Sequence, residues 1–310
     1  MMNAARRRAP HVAAGCDRTR SVTEAKLEQT PVKRVQVTQA FIRSLPTFVS
    51  PALGGTTAST AWPPKVELFG IKITPTSYAE AVQTIVARAA AGQGGIVDLM
   101  PVHGLVTSVT DAGYGQMMNE FDMVAPDGQP VRWALNRIHH VGLRDRVYGP
   151  ELMLRLCAAT ARKSVSIYLF GSSAEVIKRL EASLVQQFPG LIVAGAESPP
   201  YRALTPDEDA AVVERINASG AGVLFLGTGC PRQEVFAFEH RDRVRAVQVC
   251  VGAAFDFHAG TKRMAPPWMQ RRGLEWLFRL GQEPRRLGRR YLVTNSIFIG
   301  LVVRRLLRGH

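Results

Sequence analysis

SIYLFGSSAEVIKRLEASLVQQFPGLIVAGAESPPYRALTPDEDAAVVERINASGAGVLFLGTG, residues 166–229, decides the fold. SIYLFGS is a short apolar run without polar alternation, as expected of a strand buried on both faces. AEVIKRLEASLVQQFPG follows at helical spacing and closes on Pro189-Gly190. LIVAGAE is again a strand. TPDEDAAVVERINASG is a helix with Thr205 at its cap and Pro206 at its first position. GVLFLGTG returns as a strand, and the repeated strand–helix–strand order predicts a Rossmann-like parallel sheet with helices on both faces.

Outward from this stretch the alternation continues. RQEVFAFEHRDR reads as a helix and the apolar run VQVCVGAAF, ending at Asp256, as a final strand. Toward the N-terminus, VELFGIKIT reads as a strand or hairpin from Lys65 onward. Ser77 to Glu80 forms a capping box before the helix AEAVQTIVARAAAG. IVDLM is a strand, MPVHGLVTSVTDAGYGQMMNEFDMV supplies one helix, and DMVAP is a short strand before the turn Asp127-Gly128. The helix GPELMLRLCAATARKS then leads back to residue 166.

In such folds ligands sit beyond the carboxyl ends of the strands. The loops to read are therefore 126–128, 171–173, 197–201, 227–233 and 256–260. Gly227, Gly229 and the helix start near Pro231 offer free backbone N–H groups, an anion site in outline. Gln233, just inside that helix, suits a phosphate or a base, against the plain alternative of a surface glutamine. His103 and His258 follow strands, which puts them within reach of the same loops. With His240 they show no ligand spacing and read as structural histidines. Asp207-Glu208-Asp209 spells DxD, but it occupies a helix's first turn, where acids answer the helix dipole. Cys16, Cys157, Cys230 and Cys250 contain no CxxC pair. Neither a metal site nor a cofactor is expected.

The net charge of +14 belongs to the two ends of the chain. Residues 1–44 carry nine Lys/Arg against three Asp/Glu, and residues 262–310 carry twelve against two, leaving 45–261 close to neutral at −2. A nucleic-acid binder would show interleaved basic and aromatic groups on its folded body, and these are missing. Residues 1–64 read as a disordered basic extension without sustained period. No apolar run of signal-peptide length follows its arginines, so export is not expected. Residues 65–260 form the α/β body and 261–310 an arginine-rich helical appendage. Within the appendage, GLEWLFRLGQEPRRL sets Leu274, Leu277 and Phe278 at helical spacing among Arg279 and Arg286. Such a helix suits an anionic ligand or an anionic membrane surface, or else it packs with its arginines in water. YLVTNSIFIGLVV, residues 291–303, is too short to span a bilayer, which takes about 20 residues. It reads as an interfacial element, with a buried helix or a homo-oligomer contact as the competing uses.

DMVAPDGQPV, DRVYGPELM, YLFGSS, FPGLIVAG, LFLGTGCPRQE and the block VGAAFDFHAGTKRMAPPWMQRRGLEWLFRLGQEPRRLGRRY, in this order over about residues 65–295, resemble the WecG/TagA/CpsF family of bacterial glycosyltransferases. The resemblance implies a metal-independent inverting transferase. Such an enzyme moves a sugar from a UDP-sugar to a polyprenyl-diphosphate-linked saccharide at the cytoplasmic membrane face, in cell-surface polysaccharide synthesis. It places Asp127 as general base, Arg146 and Gln233 in the substrate site, and Arg279, Arg286 and Arg289 or Arg290 as appendage arginines.

One departure accompanies the match. Family members commonly carry Thr-x-Asn where this chain reads Leu99-Met100-Pro101. The sugar or acceptor pocket is therefore expected to differ, with His103 or Thr107 as substitutes. A non-catalytic nucleotide-sugar-binding or membrane-surface-binding protein is the alternative, and it would have no need of Asp127.

Overall fold

A computed structural model of the chain describes residues 59–308; the extension expected over residues 1–64 lies, as far as residue 58, outside them. The body opens with an antiparallel hairpin, β1 (Val66–Leu68) and β2 (Ile71–Ile73). Six strands follow: β3 (Gly95–Met100), β4 (Met123–Pro126), β5 (Ile167–Gly171), β6 (Val193–Glu197), β7 (Val223–Gly227) and β8 (Val247–Cys250). Among the described residues they form one sheet in the order β4-β3-β8-β7-β5-β6, parallel at every pairing.

The helices of the body are α1 (Tyr78–Ala90), α2 (Val102–Thr110), α3 (Ala112–Asn119), α4 (Gln129–His139), α5 (Gly149–Lys163), α6 (Ala174–Gln187), α7 (Pro206–Ala218) and α8 (Arg232–Glu239). Residues 251–308 add α9 (Ala254–His258), α10 (Pro267–Arg271), α11 (Glu275–Gln282) and α12 (Pro284–Leu307).

The apolar runs have the cause the sequence implies. In β5 and β7, Tyr168, Phe170, Leu224 and Leu226 face one core, which Leu105, Met118, Val131 and Ile216 complete from their helices. The intervening Ile167, Leu169, Val223 and Phe225 are equally buried on the other face. β6 is only half-buried along its length, as an edge strand should be. At the opposite edge the hairpin answers β4: Thr74 N–H donates to the Val124 carbonyl at 2.7 Å, and Val124 N–H donates to Thr74 Oγ1 at 3.1 Å.

Three expectations change. The single helix read over residues 100–124 is two, because Asp111 ends α2 and its side chain accepts from Tyr114 N–H at 3.0 Å to cap α3. The final strand stops at Cys250, since Gly252 takes a positive φ of 53°, and Asp256 therefore lies in α9 rather than at a strand end. The box at Ser77 is half a box: Ser77 accepts from Glu80 N–H at 3.3 Å, but the Glu80 carboxylate is taken by the Thr76 hydroxyl at 2.8 Å.

The appendage is helical, and α12 is amphipathic. Leu287, Thr294 and Phe298 are buried at helical spacing, and Phe298 meets Phe69 of the hairpin edge-on at 6.3 Å. Its other face points outward, with Leu292 73% and Ile299 60% exposed. So the packed-helix reading holds for one face only. No described helix is long and apolar enough to cross a membrane.

Candidate active site

The parallel register brings the carboxyl ends of the central strands together. Met100 pairs with Pro126 and Leu226 with Cys250, so the loops after β3, β4, β7 and β8 emerge side by side. The close approach needs glycine: a Cβ on Gly149 would sit 3.2 Å from Leu99 Cδ1 and 3.4 Å from the Val251 carbonyl. Gly227 is fixed in the same way, since a Cβ there would lie 2.4 Å from the Phe255 ring.

Asp127 stands at the centre of this meeting point. Its own N–H donates to the Met100 carbonyl at 3.1 Å, and its Oδ1 accepts from Gly149 N–H, in the first turn of α5, at 3.2 Å. Burial pushes the carboxyl up to about 6; Arg146 and Arg279 pull it down and Glu275 pushes it up again. A carboxylate poised near neutrality, and hydrogen-bonded on one oxygen, is equipped to take a proton from a hydroxyl.

Arg146 is buried and bonded to Glu275 at 2.6 Å, with 8% and 10% of the two side chains exposed. Glu275 also accepts from the Tyr148 hydroxyl at 2.9 Å and pairs with Arg279 at 2.8 Å. Arg146 lies over the Tyr148 ring at 4.2 Å. Burial works to raise the Glu275 carboxyl, but Arg279, Arg146 and the hydrogen bonds outweigh it and hold it below the usual range. Glu275 and Tyr148 escaped the sequence reading. The available signal was that Glu275 is one of two acids against twelve basic residues after position 261.

Gln233 lies at the start of α8 and is buried, which overturns the surface-glutamine alternative. Its Nε2 donates to Glu234 Oε1 at 2.8 Å, and its Oε1, beside Gly252, has no partner. Gly227 ends β7, and Gly229 takes φ +83° with open space where a Cβ would point. Thr228 Oγ1 between them is also unpartnered and buried. These groups make a polar cradle at the strand ends.

Behind the cradle, Asp98, Glu234 and Cys250 are buried with their ligand atoms within 4.8 Å of one another, the one such grouping among the described residues. Burial raises both carboxyls; the Glu234 charge adds to the rise at Asp98, while hydrogen bonds to Gln233, Cys230 and Asp98 oppose it at Glu234. These three are the residues with the donor set to hold a metal.

His103 sits in the first turn of α2 with Nδ1 buried and unpartnered; burial first, and Arg290 second, lower its pKa. Arg279 and Arg290 line a recess with Lys262, Arg263, Gln282 and Tyr291. Arg289 is exposed and outside that lining, and the side chain of Arg286 lies outside the described residues. Asp256 accepts from the Thr261 hydroxyl at 3.3 Å and faces Lys262 at 3.6 Å. His258 is structural, bonded to the Pro150 carbonyl at 2.9 Å, and His240 is bonded to Asp209 at 2.6 Å. Of the three acids after Pro206, Glu208 closes a capping box with Thr205, and Asp209 binds His240 and Arg243. At the departure, Leu99 and Met100 are buried, and Pro101 precedes α2 as its cap.

Residues 66–310 match the sequence profile described as "Glycosyl transferase WecG/TagA/CpsF family". The chain is also 26% identical over 192 residues to the N-acetylglucosaminyldiphosphoundecaprenol N-acetyl-beta-D-mannosaminyltransferase of Bacillus subtilis (strain 168). That alignment covers 62% of this chain and 73% of the relative.

Proposed function

The chain belongs to the WecG/TagA/CpsF glycosyltransferase family, and from that premise we propose that it transfers a hexose or N-acetylhexosamine, with inversion, from a UDP-sugar to a polyprenyl-diphosphate-linked saccharide. The observation that carries the reading is Asp127, raised to about 6 at the meeting point of the strand-end loops with two guanidinium groups in its field. In the reaction Asp127 takes the proton of the acceptor hydroxyl as its oxygen bonds to C1. The bond from C1 to the UDP oxygen breaks on the opposite face, which inverts the configuration. The polar cradle of Gly227, Thr228, Gly229 and Gln233 holds the nucleotide diphosphate. Arg279 and Arg290 meet the charge that develops on the leaving group, so no metal is required.

The acceptor's lipid sets where the enzyme works. Leu292, Val293, Ile299 and Val303 on the outer face of α12 are exposed, and arginines 285, 289, 304 and 308 flank them. We place this face in the headgroup region of an anionic inner membrane leaflet, peripheral and not spanning. A screen of UDP-sugars against a polyprenyl-diphosphate-linked acceptor, with Asp127→Asn alongside, tests the reading. One donor turned over by the wild type and not by the variant is the expected result. UDP-sugar binding with no transfer to any acceptor would favour the non-catalytic alternative.

A further inference from the structure

Among the described residues, Glu275 is the one acid bonded to both arginines in the field of Asp127. It reaches Arg146 at 2.6 Å across 129 positions of sequence, Tyr148 at 2.9 Å, and Arg279 one turn further along its own helix at 2.8 Å. Three donors on one buried carboxylate fix its position from both sides of the cleft. Arg146 and Tyr148 belong to the loop between α4 and α5, which runs on into Gly149 and thus to the Asp127 hydrogen bond. Arg279 belongs to α11 and lines the basic recess.

We propose that Glu275 is a positioning residue of the transferase: its carboxylate fastens the appendage to the catalytic loop and holds Arg146 and Arg279 away from direct pairing with Asp127. The inference rests on the reading of Asp127 as base. Two guanidinium groups without that counter-charge would be drawn to Asp127, in whose field both already lie, and would weaken it as a base. With Glu275 present, each guanidinium already has an anionic partner. Arg279 can then turn toward a phosphate when one enters the recess, without ever bonding to Asp127.

The groups bearing on Asp127 come from every element around it. Asp98 of β3 lies behind it, and Arg146, Tyr148 and the Gly149 N–H come from the α4–α5 side. Glu275 and Arg279 come from α11. Removing the Glu275 charge therefore takes away a push upward and leaves the two pulls downward.

The test is a set of pH–rate profiles for the full chain, measured as kcat and kcat/KM for donor and acceptor. For Glu275→Gln we expect kcat to fall by about 10- to 100-fold, the range for a misplaced catalytic array. Donor KM should change little, and the acid limb of kcat/KM should move to lower pH. Glu275→Asp, which keeps the charge, should hold the wild-type limb while losing some kcat. An unmoved limb in Glu275→Gln overturns the proposal, whether or not kcat falls, because a structural role alone would lower kcat without shifting the profile. If Glu275→Gln fails to fold, Glu275→Asp decides the matter: a displaced limb, or wild-type kcat together with an unchanged limb, overturns it. Asp127→Asn, run in parallel, separates the two claims. If that variant turns over like the wild type, the base assignment falls. If it is inactive while Glu275→Gln keeps the wild-type limb, only the role of Glu275 falls.

Discussion

The wall of the cleft built by the sheet and the wall built by residues 261–308 are held in place by different physics. The sheet wall rests on backbone pairing and apolar burial: register puts the loops side by side, and glycines allow them to touch. The groups proposed to work from it are a carboxylate, an amide and free N–H groups, and the body carrying them is nearly neutral. The appendage wall has little core of its own. It is attached through Leu287 and Phe298 on α12 and through the ion cluster at Glu275, and the groups proposed to work from it are cations. Burying an ion pair costs desolvation, and removing one partner of such a pair costs about 3–5 kcal/mol. The sheet wall should thus tolerate changes in the solvent, whereas the appendage wall depends on charge balance and on whatever covers the outer face of α12.

The strongest way to break this contrast is to remove that face. Deleting residues 285–310 is expected to abolish both binding to anionic liposomes and turnover of a lipid-linked acceptor, as read by co-sedimentation and product formation. The deletion also removes Leu287 and Phe298, so Leu292→Gln with Ile299→Gln is the gentler variant, leaving the packed face intact. It should weaken liposome binding about tenfold or more, by losing roughly 1.5–3 kcal/mol per buried aliphatic side chain. Wild-type protein should be released by high salt. A truncated form that binds and turns over normally would make α12 mere packing and confine the acceptor site to the body.

Next in size is the sheet wall. Asp127→Asn should keep the fold and the affinity for UDP while losing about 10²–10⁴ in rate, the usual worth of a general base. The same variant has a stability signature. The folded carboxyl is raised above its unfolded value, so the native state retains the proton longer, and wild-type stability falls as pH rises toward about 6. The asparagine has no such loss. It should be the more stable protein at pH 8, by an amount on the order of 1 kcal/mol, and level with the wild type below pH 4. Denaturant midpoints at the two pH values measure it.

The two walls also differed in how far they could be read from sequence. Strand runs such as SIYLFGS and VLFLG are legible because burial on both faces leaves one pattern. The loops that follow them, with Asp127 and Gln233, are then located by topology alone. Appendage arginines could be counted but not sorted. Arg279 and Arg290 line the recess and Arg289 does not, and that depends on helix phase and, for Arg279, on Glu275, itself held by Arg146 129 positions away. Gln233 was ambiguous for a related reason: a polar residue in the first turn of a helix is ordinarily exposed, and the packing of α8 against β3, β7 and β8 buries it. The split between α2 and α3 at Asp111 was missed because apolar spacing continues across it.

A smaller effect contrasts two acid sites within the sheet wall. Asp127 has cations in its field, whereas among the groups acting on Asp98 the charged ones are acids, Glu234 first and Asp127 after it. Glu234 Oε2 has no hydrogen-bond partner unless Asp98 presents a proton to it. Burial raises both carboxyls above their unfolded values, so the stability they contribute is greatest while they are protonated and falls as pH rises above the ordinary carboxylate range. Asp98→Asn replaces that proton with a permanent N–H donor. The expected result is a flatter stability profile between pH 5 and 8, with the variant ahead at the alkaline end. A slope equal to the wild type's would show that the pair does not hold the proton.

The smallest expected effect is that of a chelator, and it bears on the same cluster. Asp98, Glu234 and Cys250 have the donor atoms for a cation, but all three are buried, and Glu234 already accepts a hydrogen bond from Gln233. A thiolate ligand would require Cys250 to ionise, and burial together with the neighbouring acids raises that thiol well above its ordinary value. A proton shared by the carboxyls meets the same need for positive charge without a change in the thiol. In the proposed scheme the diphosphate charge is met instead by Arg279, Arg290 and backbone N–H groups, an arrangement that serves where a metal does not. EDTA should therefore leave turnover within about twofold, by the absence of any metal term in this electrostatic scheme, and leave the melting temperature unchanged. Strict dependence on Mg²⁺ or Mn²⁺ would overturn the arginine account of the leaving group. A drop in melting temperature without loss of turnover would instead place a structural ion at Asp98, Glu234 and Cys250.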